Sequence, residues 1–140
     1  MTQNSVRTPR ELVEHLFGGL PSRDADAFLA HFAEDAVFEI PFTVPGMPQR
    51  LEGRAAIREH LAERWSGPIQ DIQVHGMRQE IYETTDPEVV VVENDVDITP
   101  AGGERVQFRG SLNVIRIRDG RVVLFRDYMD TARLAGLRGN

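Results

Sequence analysis

Arg118-Asp119-Gly120-Arg121-Val122-Val123-Leu124-Phe125-Arg126-Asp127-Tyr128-Met129-Asp130 reads as a turn followed by the returning arm of a β-hairpin. Asp-Gly favours the positive-φ turns that match strand twist. Four apolar residues then lead to a carboxylate, Asp127, in what should be the covered part of a sheet. A carboxylate there is costly unless it is paired or used in chemistry, so Asp127 is the first candidate functional residue. Its side of the sheet depends on the turn. A two-residue loop places it on the face of Leu112; a three-residue loop with a Gly bulge places it on the face of Asn113. The second register gathers Asp127, Asn113, Ser111 and Met129 around one cavity.

Three further strands precede this one. Residues 69–84 and 88–99 pair across a turn, Pro100-Ala101-Gly102-Gly103 reverses the chain, and residues 105–118 lead into Asp119-Gly120. The N-terminal half is helical. Thr8-Pro9 opens a helix carrying Leu12, Val13, Leu16, Phe17 and Leu20 at helical spacing. A short helix after Ser22 uses Ala25, Phe28, Leu29 and Phe32. Residues 36–41 read as a short strand and 41–53 as a loop. A third helix opens near Gly53, shows Ile57, Leu61 and Trp65, and stops at Gly67-Pro68. A last short helix is expected over 131–137. Helices first and an antiparallel meander after is an α+β layout. It predicts a cone-shaped barrel: a strongly curved, mostly antiparallel sheet with about three N-terminal helices enclosing an apolar pocket.

The chain has 140 residues, enough for one domain over 1–140 with its core over about 9–137. Cys is absent, which excludes disulfides, thiol nucleophiles and Cys-based metal sites and is compatible with a cytoplasmic protein. No run spans a membrane. The formal net charge of −6, without a basic block, argues against nucleic acid as partner. No His pair has metal-ligand spacing, and no nucleophilic Ser motif or phosphate-binding Gly loop is present.

Two other strands carry candidate chemistry. Glu93, Asp95 and Asp97 alternate, so a regular strand puts all three on one face, about 7 Å apart at each step. Facing a cavity, they would raise one another's pKa values; facing solvent, they are a charged edge opposite Val90, Val92, Val96 and Ile98. On the next strand Arg109, Ser111 and Asn113 share one face, Phe108, Leu112 and Val114 the other, and the two faces exchange character part-way. A sheet apolar on both sides is covered on both, often by a subunit, which suggests a homodimer through the outer face. Arg109 is placed to pair with Asp95 or Asp97. Of the four His, His60 flanks the Ile57–Leu61–Trp65 stripe and is the one that could look into a cavity.

Phe32-Ala33-Glu34-Asp35-Ala36-Val37, Glu52-Gly53-Arg54-Ala55-Ala56-Ile57, Arg118-Asp119-Gly120-Arg121-Val122-Val123 and Phe125-Arg126-Asp127-Tyr128-Met129-Asp130 resemble the SnoaL-like branch of the superfamily of nuclear transport factor two and ketosteroid isomerase. The resemblance implies the cone-shaped fold, a deep pocket and a dimer. It also carries residues over. The general-base, Tyr and protonated-Asp positions of ketosteroid isomerase correspond to Ile40, Leu16 and Asn113, so steroid isomerisation is not implied, while Asn113 keeps a donor for an oxyanion. The Asp–Arg–Asp set of limonene-epoxide hydrolase corresponds to Asp97, Asp95 and Asp127, and its water-holding Tyr and Asn to Phe38 and Ile40. The acid and the His of the small phenazine-biosynthesis proteins correspond to Asp127 and His60.

The leading expectation is an acid–base enzyme without cofactor or metal: an isomerase, cyclase, dehydratase or epoxide-opening hydrolase acting on a mostly apolar carbonyl- or epoxide-bearing molecule. Asp127, Asp97, Asp95, His60 and Asn113 form the expected machinery. Leu16, Phe38, Ile40, Phe42, Leu61, Trp65, Glu93, Arg109, Ser111 and Met129 are the expected substrate contacts. The alternatives are a non-catalytic ligand-binding or dimerisation domain of the same fold, or a protein-binding module.

Overall fold

The structure is a computed structural model that describes residues 8–18, 20, 23–42, 45–66 and 71–133. Its elements run α1 (Pro9–Gly18), α2 (Ala25–Leu29), β1 (Phe32–Glu39), β2 (Arg50–Glu52), α3 (Arg54–Trp65), β3 (Gln73–Glu83), β4 (Val89–Thr99), β5 (Val106–Arg118) and β6 (Arg121–Met129). The six strands form one sheet in the order β2-β1-β6-β5-β4-β3. Only β1 and β6 pair in parallel. The sheet is open, with β2 and β3 at its edges, so the expected α+β architecture is present without closure into a barrel.

Local chemistry explains the element starts. Thr8 and Glu11 form a reciprocal capping box: Thr8 N–H donates to Glu11 Oε1 at 2.9 Å and Glu11 N–H to Thr8 Oγ1 at 3.2 Å. Asp24 caps α2 by accepting from Ala27 N–H at 3.1 Å, so this helix starts two residues later than Ser22 suggested. Gly53 leads into α3 at φ 93°, a conformation that favours Gly. Two strand boundaries differ from expectation. β1 begins at Phe32, because the short helix ends at Leu29 and Phe32 serves the sheet. β2 lies within the segment expected to be all loop and pairs with Val37–Glu39. Gly67-Pro68, residues 69 and 70, and the expected helix beyond residue 133 lie outside the described residues.

Two irregularities decide which side chains look inward. The hairpin turn is the two-residue Asp119-Gly120, both at positive φ (53° and 75°). Arg118 pairs with Arg121 and Ile117 with Val122, but Arg116 pairs with Leu124, leaving Val123 as an extra residue in β6. Asn113 therefore opposes Asp127. The Asn113 face is the one occupied, reached by a bulge at Val123 instead of a three-residue loop. In β5, Asn94 opposes Ser111 while Asp95 opposes Arg109, leaving Gly110 as the extra residue. The bulge at Gly110 is why the two faces of β5 exchange character: Ser111 and Asn113 look inward beside Phe108, and Arg109 looks outward.

The helices cover the inner face. α1 lies against β3 and β4, α3 against β1 and β2, and α2 against α3. The stripe Leu12, Val13, Leu16 and Phe17 of α1 is buried, as are Ile57 and Leu61 of α3. An aromatic cluster joins helices to sheet around Phe125, which is 4 % exposed. Its ring stacks on Phe38 (centroids 5.3 Å apart) and contacts Phe28 (5.9 Å), Phe32 (6.0 Å) and Phe17 (6.2 Å). Phe125→Ala is expected to cost about 3–5 kcal/mol, as truncating a packed aromatic does; urea unfolding of the variant against wild type measures it.

Candidate functional site

Between the helices and the inner face of the sheet lies a cavity of about 280 Å³. Six aromatic residues line it: Phe17, Phe28, Phe38, Trp65, Phe108 and Phe125. Its polar wall comes from the sheet: Asn94 of β4, Ser111 and Asn113 of β5, and Asp127 of β6. Arg23, Arg64, Asp130 and Arg133 supply the other charged lining groups. Mostly apolar walls with a few convergent polar groups are what small-molecule sites are made of.

The polar groups form one chain of hydrogen bonds. Asn94 Nδ2 donates to Asn113 Oδ1 at 2.6 Å and to Ser111 Oγ at 3.0 Å. Asn113 Nδ2 donates to Asp127 Oδ1 at 3.0 Å. Burial pushes the Asp127 carboxyl up to about 6, against the lowering pull of the Arg64 charge and the Asn113 hydrogen bond. The Arg64 guanidinium itself lies 3.6 Å from Met129 Sδ and 4.0 Å from Met47 Sδ.

Of the residues expected at the site, Asp127, Asn113, Ser111, Met129, Phe38, Leu61 and Trp65 line this cavity. Asn113 differs in its role. Its amide N–H groups already face Asp127 and the Arg126 carbonyl oxygen (3.5 Å), so it holds the carboxylate instead of standing open for an oxyanion.

Glu93, Asp95 and Asp97 do not belong to the site. They point to the outer face, because Val90, Val92, Asn94, Val96 and Ile98 take the inner positions of β4. There they meet arginines: Arg109–Asp95 at 2.8 Å, Arg109–Glu93 at 3.2 Å and Arg105–Asp97 at 2.7 Å. Arg109 thus pairs with Asp95 as expected, but it contacts no substrate cavity. The Arg105 and Gln107 hydrogen bonds hold Asp97 down at about 2, and the Arg109 hydrogen bond lowers Asp95. Asp95 and Asp97 are thereby held in the ionised form, the reverse of a tuned acid.

His60 is not brought to Asp127. It is half-buried beside Phe38 (ring centroids 6.3 Å apart), off the cavity lining, and its Nε2 has no partner among the described residues. Burial and the Arg64 charge lower its pKa, which favours the neutral ring. Leu16 and Ile40 are core residues away from the cavity wall, since α1 turns Phe17 toward it instead. Phe42 is 57 % exposed and packs edge-on against Tyr128.

Asn94 and Arg64, which act on Asp127 and its hydrogen-bond chain, are among the lining residues that the sequence did not single out as site residues. Asn94 was legible as a polar residue on an otherwise apolar strand face. Arg64 lies between Leu61 and Trp65 on α3 and carries no sequence signal beyond that position.

A model of the SnoaL-like domain family matches residues 13–125. The chain belongs to that family. An uncharacterised PhzA/B-like protein of Pseudomonas aeruginosa is 31% identical over 129 residues, covering 89% of this chain and 85% of the relative. A crystal structure from Bacillus subtilis, provisionally described as an isomerase, superposes with a TM-score of 0.76 at 26% identity over 94% of this chain and 92% of that one. SalBIII, an epoxide hydrolase/cyclase-like enzyme with a role in pyran ring formation in the polyether salinomycin, has the same fold, with a TM-score of 0.65 at 21% identity over 89% and 92%. Among the described residues, no helix is long and apolar enough to cross a membrane.

Within this SnoaL-like domain Asp127 is a stability liability at neutral pH. Its folded carboxyl near 6 lies above the ordinary aspartate value of 3.8. The folded state thus holds the proton more tightly than the unfolded chain. Its contribution is fully present below about pH 4 and is lost as pH rises through 6. Asp127→Asn is therefore expected to stabilise the protein by about 1–3 kcal/mol at pH 7 and by almost nothing at pH 4. Urea unfolding at both pH values checks it; equal effects at the two would contradict the burial of the charge.

Proposed function

We propose that this SnoaL-like domain is an acid–base enzyme of the cyclase and isomerase kind, acting through side chains on a mostly apolar, carbonyl-bearing small molecule. The observation that carries this reading is Asp127: a carboxyl titrating near 6 on the wall of an aromatic-lined cavity. Such a group is mostly ionised at neutral pH yet a stronger base than an ordinary aspartate, which suits proton abstraction.

The chemistry follows from the groups around it. Asn113 occupies Oδ1, and Oδ2 takes a proton from carbon next to the substrate carbonyl. The C–H electrons move to the carbonyl oxygen. The Ser111 hydroxyl, whose oxygen accepts from Asn94, directs its own proton toward that oxygen, and the positive charge of Arg64 stabilises it. Asp127 then returns its proton. Delivered to another carbon, this is isomerisation. If the enolate carbon first attacks a second carbonyl in the same molecule, the proton goes to the new alkoxide and a ring closes. The outward placement of Asp95 and Asp97 weighs against epoxide opening by an Asp–Arg–Asp set. Structural neighbours provisionally described as polyketide cyclases, together with the epoxide hydrolase/cyclase-like enzyme, favour ring closure.

The test is a screen of enones, polyketide-like ketones and epoxides, followed by Asp127→Asn. Turnover should fall by about 10²–10⁴-fold with ligand affinity kept. In wild type, kcat/KM should rise with pH around a midpoint near 6 and fall about tenfold for each unit below it. Asp95→Asn and Asp97→Asn should retain full rate. Binding without turnover across the screen would favour the ligand-binding alternative.

We also propose a second copy of the chain as partner on the outer sheet face. The support is a run of half-buried apolar residues there: Val91, Leu112, Val114 and Leu124. Sedimentation should give a dimer that Leu112→Glu dissociates.

A further inference from the structure

We infer that Asn94 is a positioning residue for the base: it orients the amide of Asn113 so that Asn113 donates to Asp127, and it thereby sets the pH at which Asp127 ionises. The inference rests on Asp127 as the base and adds how that base is tuned.

Asn94 and Asn113 are 3 % and 2 % exposed, the buried polar residues among those described. An amide side chain presents two N–H donors on one side and an acceptor on the other. Asn94 commits both donors, one to Asn113 Oδ1 at 2.6 Å and one to Ser111 Oγ at 3.0 Å. With its oxygen taken, Asn113 must turn its N–H groups toward β6, where one meets Asp127 Oδ1 at 3.0 Å. An ionised carboxylate only accepts, so the chain Asn94 to Asn113 to Asp127 has one direction. Rotating the Asn113 amide by half a turn would set its carbonyl against the carboxylate and its N–H groups against those of Asn94. Two hydrogen bonds would become two repulsions.

The leftover atom supports this. Asn94 Oδ1 is buried with no partner among the described residues. A buried acceptor left unmet works against folding, and an apolar residue at this position would avoid it. The neighbouring inner positions of β4 are Val92 and Val96. Packing alone accounts for those valines and not for the asparagine between them, whereas the need for a donor at Asn113 does.

Other groups act on Asp127 as well. The charge of Arg64 on α3 lowers its pKa, and Arg23, Asp130 and Arg133 line the same cavity. Their charges are common to wild type and to Asn94→Leu, which adds no charge of its own, so a shift in that variant reports the amide chain.

The experiment is a carboxyl carbon NMR titration of Asp127 in the full chain, which requires no substrate. Asn94→Leu removes the donors without adding charge, and the Asp127 midpoint should rise by about one pH unit. Asn94→Asp keeps the shape of the side chain and is the second variant, should Asn94→Leu fail to fold. Its carboxylate draws the Asn113 amide away, and the Asp127 midpoint should rise at least as far. In wild type, the side-chain amide resonances of both Asn113 and Asn94 should titrate with the Asp127 midpoint. Where a substrate is in hand, the kcat/KM profile should move with the NMR midpoint. A wild-type midpoint near 6 that stays put in both variants overturns the role of Asn94 and leaves the base intact. So does an Asn94 amide blind to the titration. A wild-type midpoint at the ordinary aspartate value overturns the base itself.

Discussion

Val123 has no partner on β5, and this one extra residue carries Asp127 from the outer face of the sheet to the inner one. Side chains alternate along a strand, so a slip of one reverses every residue beyond it. Without the slip, Asp127 would oppose Leu112 among the exposed ion pairs, and Phe125 would leave the aromatic cluster. The same step therefore places the core's central ring and the site's carboxylate. The bulge at Gly110 does the complementary work on β5: it keeps Ser111 and Asn113 inward while releasing Arg109 outward to Asp95. Core and site are then two levels of one sheet face, and neither can be re-registered without losing the other.

The two faces treat charge in opposite ways. On the outside, carboxylates sit within reach of guanidinium groups and water. Glu88, between Arg116 and Arg118, is held at about 2, as Asp97 is by Arg105. Exposed pairs of this kind add little stability individually, but they keep the acidic residues ionised and inert. Inside, Asp127 feels the lowering pull of the Arg64 charge and then of one hydrogen bond from Asn113, which together are too little to offset its lost hydration. Reactivity in this domain follows from which carboxylate loses its hydration to burial, not from how many carboxylates a strand carries.

That contrast explains what could be read from the residues. The long strands and their order of appearance follow from alternation and turn chemistry, which are local; the inward face of Asp127 does not, because a two-residue Asp119-Gly120 turn alone would set it opposite Leu112 and only the bulge at Val123 reverses it. Glu93, Asp95 and Asp97 looked like a site because three acids share a face; the opposite face, with Val90, Val92, Val96 and Ile98, had the stronger claim on the core, and it won. His60 flanks the right helix stripe but faces Phe38, since a turn of helix shifts a side chain by more than the spacing reveals. Arg64 was invisible for a related reason. Its partners, Met47 and Met129, come from far along the chain, and only assembly brings a cation to the cavity.

Asn94 belongs to a third class. Its position on the inner face was legible, yet its meaning depends on a relay across three strands that no local pattern encodes. An isolated asparagine among valines is a conflict between packing and polarity, and folded proteins retain such conflicts where something else is gained. Here the gain has a direction. Asn94 orients Asn113, Asn113 donates to Asp127, and the mismatch is left at the end of the chain farthest from the carboxylate, where the unmatched Asn94 oxygen lies. The orphan is thus the visible end of the same constraint that begins at the bulge in β6: once an ionisable group is turned into an apolar interior, the polar groups that hold it must be carried inward with it until one of them is left without a partner.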